Sequence, residues 1–233
     1  MIIQKRIQSL KKTIEKLQIL YQQPKKPLLL AVSKGQASSA IREAFSAGLS
    51  DFGENYWQEA RAKLKSLEDL AISWHFIGTL QSNKVAQISR HFHWVHTVDR
   101  LEIAELLSKH RPSALPPLNL CIQLNLDNEP RKSGIAPKDL VPLVTCIQQL
   151  PRLKLRGLMA IPKPRLQKEA QYLCFCQLRN LLESVNQGLT NPLDTLSMGM
   201  SDDFDAAIRA GSTIIRLGRA VFGERRSTRS LRT

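Results

Sequence analysis

The sequence has no apolar run near the ~20 residues that a membrane-spanning helix needs. Its first residues, MIIQKRIQSLKK, lack the apolar stretch and small-residue cleavage site of a secretory signal. Both absences point to a soluble, cytoplasmic protein. Cysteine is scarce, with four in 233 residues. Cys121, Cys146, Cys174 and Cys176 form no C-x-x-C pair and no zinc-ligand spacing, so buried free thiols are expected and no metal site is. No G-x-G-x-x-G turn is present to support a doubly wound dinucleotide-binding sheet. Acidic side chains are also short, 20 Asp and Glu against 34 Lys and Arg, for a formal net charge of +14. That excess favours anionic ligands. Aromatics make up only 6% of the chain and do not interleave the basic runs. The stacking platforms of a nucleic-acid binder are therefore missing, and nucleic acid is not expected as a partner.

What is present is an alternation. Residues 2–22 carry Ile7, Leu10, Ile14, Leu17 and Tyr21 on one helical stripe. Pro24 and Pro27 end that helix. Strand-like runs then recur at 28–34, 51–55, 73–78, 94–99, 119–126, 153–161, 195–200 and 214–222. Helical stretches separate them, with Pro142 in the first turn of one, where proline is tolerated. Eight strand–helix units after an extra N-terminal helix predict a single-domain α/β fold, a (β/α)8 TIM barrel. The barrel is expected to span residues 1–226, followed by a basic C-terminal tail over 227–233.

The first strand, Leu28-Leu29-Leu30-Ala31-Val32-Ser33-Lys34, organises the rest. A continuous apolar run suits a strand buried on both faces. A lysine at its end stands at the edge of a dry interior, where desolvation favours the free amine. Such an amine can condense with an aldehyde to a Schiff base. The alternative is a lysine that snorkels to solvent.

Active sites of these barrels lie at the C-terminal ends of the strands. There the sequence places Lys34, Asn55, His75, Asn125, Met159, Ser201 and Arg216. Met198-Gly199-Met200-Ser201 ends strand seven and Arg216-Leu217-Gly218-Arg219 ends strand eight, where barrels commonly bind phosphate. Gly199 and Gly218 allow close backbone approach and Ser201 offers a hydroxyl; Ser201 also fits a plain helix N-cap. Strand alternation puts Arg216 inside the barrel, where it needs an acceptor. That acceptor is either a carboxylate or the pyridine nitrogen of pyridoxal 5'-phosphate (PLP). A PLP site calls for a Schiff-base lysine, a phosphate cradle and a partner for the pyridine nitrogen, and these residues supply all three.

Six motifs carry a resemblance: AVSK at 31–34, FGENYWQE at 52–59, WHFIGTLQSNK at 74–84, GLMAIP at 157–162, LSMGMSDDFDAAIRAGST at 196–213 and IRLGRAVFGER at 215–225. Together they resemble the PLP homeostasis protein family, which is related to the N-terminal domain of alanine racemase. The resemblance implies a barrel that holds PLP on Lys34. Asn55, His75, Met198, Gly199, Ser201, Arg216, Gly218 and Arg219 would complete the pocket. It implies no established catalytic activity, and a role in vitamin B6 and in amino-acid and keto-acid balance. PLP-dependent apoenzymes are the partners it suggests, and a monomer is expected. Three residues depart from the family pattern: Thr79 for proline, Gly35 for threonine, and Arg219 for a threonine beside the phosphate.

The competing expectation is a PLP-dependent amino-acid racemase or lyase. Racemisation needs a base on each face of the substrate carbanion. Lys34 could serve one face; in alanine racemases the other base comes from an added C-terminal domain, for which no room is expected here. Tyr56 is the remaining candidate. An arginine at the pyridine nitrogen makes the ring a poorer electron sink, which also favours a carrier.

Overall fold

Leu29, Leu30 and Ala31 are all buried, so the first strand is covered on both faces. The same demand, repeated eight times, is met by closing the sheet and wrapping it in helices. The computed structural model describes residues 2–130 and 132–224. The expected domain boundary at 226 and the 227–233 tail lie outside the described residues.

The elements follow in order as α1 Ile2–Leu20, β1 Leu28–Val32, α2 Ser38–Ser46, β2 Asp51–Glu54, α3 Trp57–Ser66, β3 Ser73–Phe76, α4 Val85–His91, β4 Trp94–Val98 and α5 Leu101–His110. They continue as β5 Leu118–Leu124, α6 Leu140–Gln148, β6 Leu153–Ala160, α7 Lys168–Asn186, β7 Thr195–Ser197, α8 Phe204–Arg209, β8 Ile214–Leu217 and α9 Arg219–Phe222. The strands form a closed parallel barrel in sequence order, with β8 pairing back onto β1 from Leu28↔Ile214 to Ala31↔Leu217. This is the TIM-barrel fold with the additional N-terminal helix that the alternation predicts.

The main apolar core lies between the strands and the helices. Phe52, Leu120, Ile122, Leu158 and Ile215 meet Ile41, Ile88, Leu107 and Leu178 there. Ile7 and Ile14 bring α1 into the same core. A second, smaller apolar cluster consists of Leu30, Ile77 and Ile214, with Val32 and Trp94 packed on it. Buried polar groups on the strands include His75, His96, Ser197 and Arg216.

Two expectations are corrected. The run 214–222 is not one strand: the chain leaves the sheet at Leu217, and the N–H groups of Val221 and Phe222 donate to Gly218 O and begin α9. Cys146 is exposed rather than buried, although Cys121 and Cys174 are buried as free thiols. Helix α6 is apolar in composition, but it buries Leu143, Val144 and Ile147 and turns Cys146 outward.

Candidate functional site

The turn that carries Lys34 is clamped from behind. Gly35 takes φ +74°, a conformation suited to glycine, and its N–H donates to Glu59 Oε1 at 2.5 Å. Lys63 reaches up from α3 and donates to Ser33 O at 2.7 Å, Glu54 Oε1 at 2.6 Å and Glu59 Oε1 at 2.5 Å. Ser33 Oγ donates to the same Glu54 oxygen at 2.5 Å. Burial pushes the Glu54 carboxyl upward, against the hydrogen bond and charge of Lys63. A buried network of this kind contributes geometry more than stability; here it fixes where β1 ends and Lys34 begins.

Beside that turn opens a cavity of about 480 Å³. Lys34, Asn55, Ser201, Arg216, Gly218 and Arg219 line it, drawn from four separate strand ends. Val32, Ile77 and Ile161 supply apolar wall. Lys34 is half-buried.

Arg216 is only 4% exposed. It donates from Nη1 to Ser197 Oγ at 2.8 Å and from Nη2 to Ala160 O at 2.9 Å. Burial pushes its pKa down to about 10, with Asp203 and Cys121 acting the other way, so it stays cationic at neutral pH. Both acceptors are uncharged. Among the described residues the guanidinium forms no salt bridge with a carboxylate, although Asp203 is near enough to act through its charge.

Asn55 follows β2, and its Oδ1 is buried without a hydrogen-bond partner. Gly78 makes room for it: a Cβ at that glycine would stand 1.9 Å from Asn55 O. At the other end of the cavity, Ser201 Oγ accepts from the Ala220 N–H of α9 at 3.4 Å. Asp203 Oδ1 accepts from the Met200 N–H at 2.6 Å and closes the loop after β7. Arg219 pairs with Asp202. The two aspartates are thus occupied by a backbone donor and a cation.

The structure brings together six of the nine residues singled out from sequence. The other three stand elsewhere. His75 is not at the mouth: it is fully buried, with Nε2 on Asp51 Oδ1 and Nδ1 on His96 Nε2. Asp51 opens β2, so His75 turns toward the N-terminal face of the barrel. Alternation fixes which side of the sheet a residue faces, not which end its side chain leans to. Met198 is buried in the core between strands and helices. Gly199 shapes the turn without lining the cavity; its φ is +93° and a Cβ there would meet Ala207 Cβ at 2.5 Å. Asn125 braces its own loop through Glu129, and Met159 is buried. Tyr56 is 63% exposed and borders a neighbouring smaller cavity, which shares Asn55. The sequence reading missed His96 and Ser197, which stand behind Arg216. Ser197 lies two residues before Gly199 on a strand already assigned, a signal that was there to be used.

A parallel barrel with a lysine after its first strand and an interior arginine on its last defines a class. The family model described as "Alanine racemase, N-terminal domain" matches residues 6–226. Within that class the chain belongs to the pyridoxal phosphate homeostasis protein family. It is 57% identical over 197 residues to the Pyridoxal phosphate homeostasis protein of Pseudomonas aeruginosa, with 84% of each chain covered. It is 48% identical over 208 residues to the protein of that name from Escherichia coli K12, covering 87% of each. Among solved structures, PipY of Synechococcus elongatus PCC7942 with PLP bound is similar at a TM-score of 0.83 and 38% identity. That likeness covers 95% of this chain and 100% of PipY.

Proposed function

We propose that this protein binds PLP in the barrel mouth, as a Schiff base on Lys34, and acts as a carrier or regulator in cellular PLP homeostasis. The observation that carries the reading is the convergence of Lys34, Arg216 and the loops after β7 and β8 on one cavity. Lys34 is assigned to the aldehyde carbon, Arg216 to the ring nitrogen, and Ser201 with the 218–219 backbone to the phosphate. The fit rests on two features. Among the described residues, Arg216 is a buried cation held by neutral acceptors and Asn55 Oδ1 is a buried acceptor with no donor. PipY, bound to PLP in its crystal, and the names of the relatives support the same assignment.

When bound, PLP supplies an aldehyde that condenses reversibly with amines. The chain's own residues favour holding it over using it. A guanidinium at the ring nitrogen does not protonate it, so the ring withdraws electrons less strongly. Tyr56, the candidate for a second base, borders a different cavity, and His75 is turned into the barrel. Cytoplasmic apoenzymes that need PLP are the recipients this reading calls for, reached by the protein as a monomer.

The test is a spectroscopic titration with PLP, followed by proton exchange at the alpha carbon of alanine in heavy water. One equivalent of PLP should bind, and exchange should not exceed that of free PLP. Rapid exchange that requires Lys34 and is lost in Tyr56→Phe would mean a racemase or lyase instead.

A further inference from the structure

A continuous hydrogen-bonded chain runs through the barrel from the start of β2 to the cavity. Asp51 Oδ1 lies 3.1 Å from His75 Nε2, His75 Nδ1 lies 2.9 Å from His96 Nε2, and His96 Nδ1 lies 2.7 Å from Ser197 Oγ. Ser197 Oγ in turn accepts from Arg216 Nη1 at 2.8 Å. The His96–Ser197 bond joins β4 to β7, which are not neighbours in the barrel, so the chain crosses its interior. His75, His96, Ser197 and Arg216 are all buried.

The direction of donation is fixed from the two ends. His75 Nε2 also lies 3.3 Å from Ser73 Oγ, a hydroxyl that can accept as well as donate; the ionised Asp51 carboxylate only accepts, so His75 carries its proton on Nε2. A neutral His75 then accepts at Nδ1, and His96 must donate from Nε2. A neutral His96 accepts at Nδ1, and only the Ser197 hydroxyl remains to donate there. The Ser197 hydrogen is thereby turned away from Arg216, which is itself a donor. Burial favours the neutral form of both imidazoles, consistent with this single pattern.

We infer that Asp51, His75, His96 and Ser197 are positioning residues for Arg216. Their chain presents the Ser197 oxygen to the guanidinium purely as an acceptor. With Ala160 O as the second tether, it fixes the rotation of the guanidinium and leaves its other N–H groups for the ring nitrogen of the ligand. A lone serine hydroxyl could rotate and set two donors against each other. Two imidazoles in fixed tautomers prevent that, which accounts for a polar thread through an interior where aliphatic side chains would fill the space. The inference rests on the reading of this cavity as the PLP site.

Two measurements test it separately. Nitrogen-15 NMR of the protein without added PLP should show His75 and His96 neutral near pH 7, both protonated on Nε2. A proton on Nδ1 of either would overturn the chain. PLP titration of Ser197→Ala, His96→Phe and His96→Gln should then show about tenfold weaker binding and a shifted PLP absorption band in the first two. Glutamine keeps one donor and one acceptor, so His96→Gln should lie closer to the unmutated protein. Unchanged bands and affinities in Ser197→Ala and His96→Phe would overturn the positioning role while leaving the PLP reading intact. Failure of the unmutated protein to bind PLP would overturn both.

Discussion

Arg216 is a buried cation whose two tethers are a hydroxyl and a carbonyl, so most of its electrostatic demand is left for whatever enters the cavity. Arg216→Ala should weaken PLP binding and change its absorption while the barrel still folds, at a cost of roughly 1–3 kcal/mol in binding. An unchanged titration would assign Arg216 to structure alone. Arg219 makes a different case. Its pairing with Asp202 is exposed, with side chains 54% and 81% accessible, and exposed pairs contribute only about 0–1 kcal/mol. Asp202→Asn should therefore barely change the melting temperature. It should tighten PLP binding by releasing a cation at the phosphate end, and the gain should shrink with added salt. Weaker binding in that variant would show that the pair is needed intact. Lys34 and Arg216 were legible in sequence because a strand end and a two-residue alternation define them. His75 was misplaced because its lean toward the N-terminal face depends on Asp51, a neighbour on another strand. Lys34, Asn55, Ser201, Gly218 and Arg219 line one cavity with Arg216 because the segments after the strands are the part of a barrel that faces the mouth.

At the level of elements, the loop after β7 depends on one backbone conformation. Gly199 at φ +93° turns the chain so that Met200 and Ser201 reach the cavity, with Ala207 of α8 packed against the space where a side chain would go. Gly199→Ala forces both strain and a clash, of order 1–3 kcal/mol for the conformation alone. Urea unfolding should report that loss, and PLP affinity should fall with it because Ser201 moves. Full stability in the variant would contradict the turn's role. The end of β8 was not legible. Ile214 to Phe222 reads as one apolar run, and hydrophobic pattern cannot separate a strand from the helical turn that follows it. What ends the strand is the turn closed on Gly218 O, a backbone feature with no periodic signature. Helix α6 shows the same limit: mostly apolar in sequence, it gave no clear sign that Cys146 faces out.

Over the whole molecule, buried histidines link folding to pH. Burial pushes His75 below its ordinary value of 6.5, and His96 well below it. The neutral forms are favoured in the fold, so between the folded values and 6.5 the unfolded chain binds more protons. The stability that these histidines contribute should therefore be complete above about 6.5 and fall as pH drops below it. Denaturant midpoints at pH 7.5 and 5.5 should differ in that sense, and His96→Gln should reduce the difference. Midpoints that do not move with pH would contradict the buried neutral pair. At this scale the fold was the most legible feature, since eight alternating runs without a phosphate-binding glycine turn leave few other closures. The polar thread inside the barrel was not, because it is assembled from strands β2, β3, β4, β7 and β8 and exists only once the sheet closes.

Lys34 is the residue proposed to hold the cofactor. Borohydride reduction of the PLP-loaded protein, followed by mass spectrometry of its peptides, measures this directly. A single pyridoxyl adduct on Lys34, absent from Lys34→Ala, is the result expected. An adduct centred on another lysine, such as Lys84 beside the neighbouring cavity, or no adduct at all, would contradict the assignment of the site.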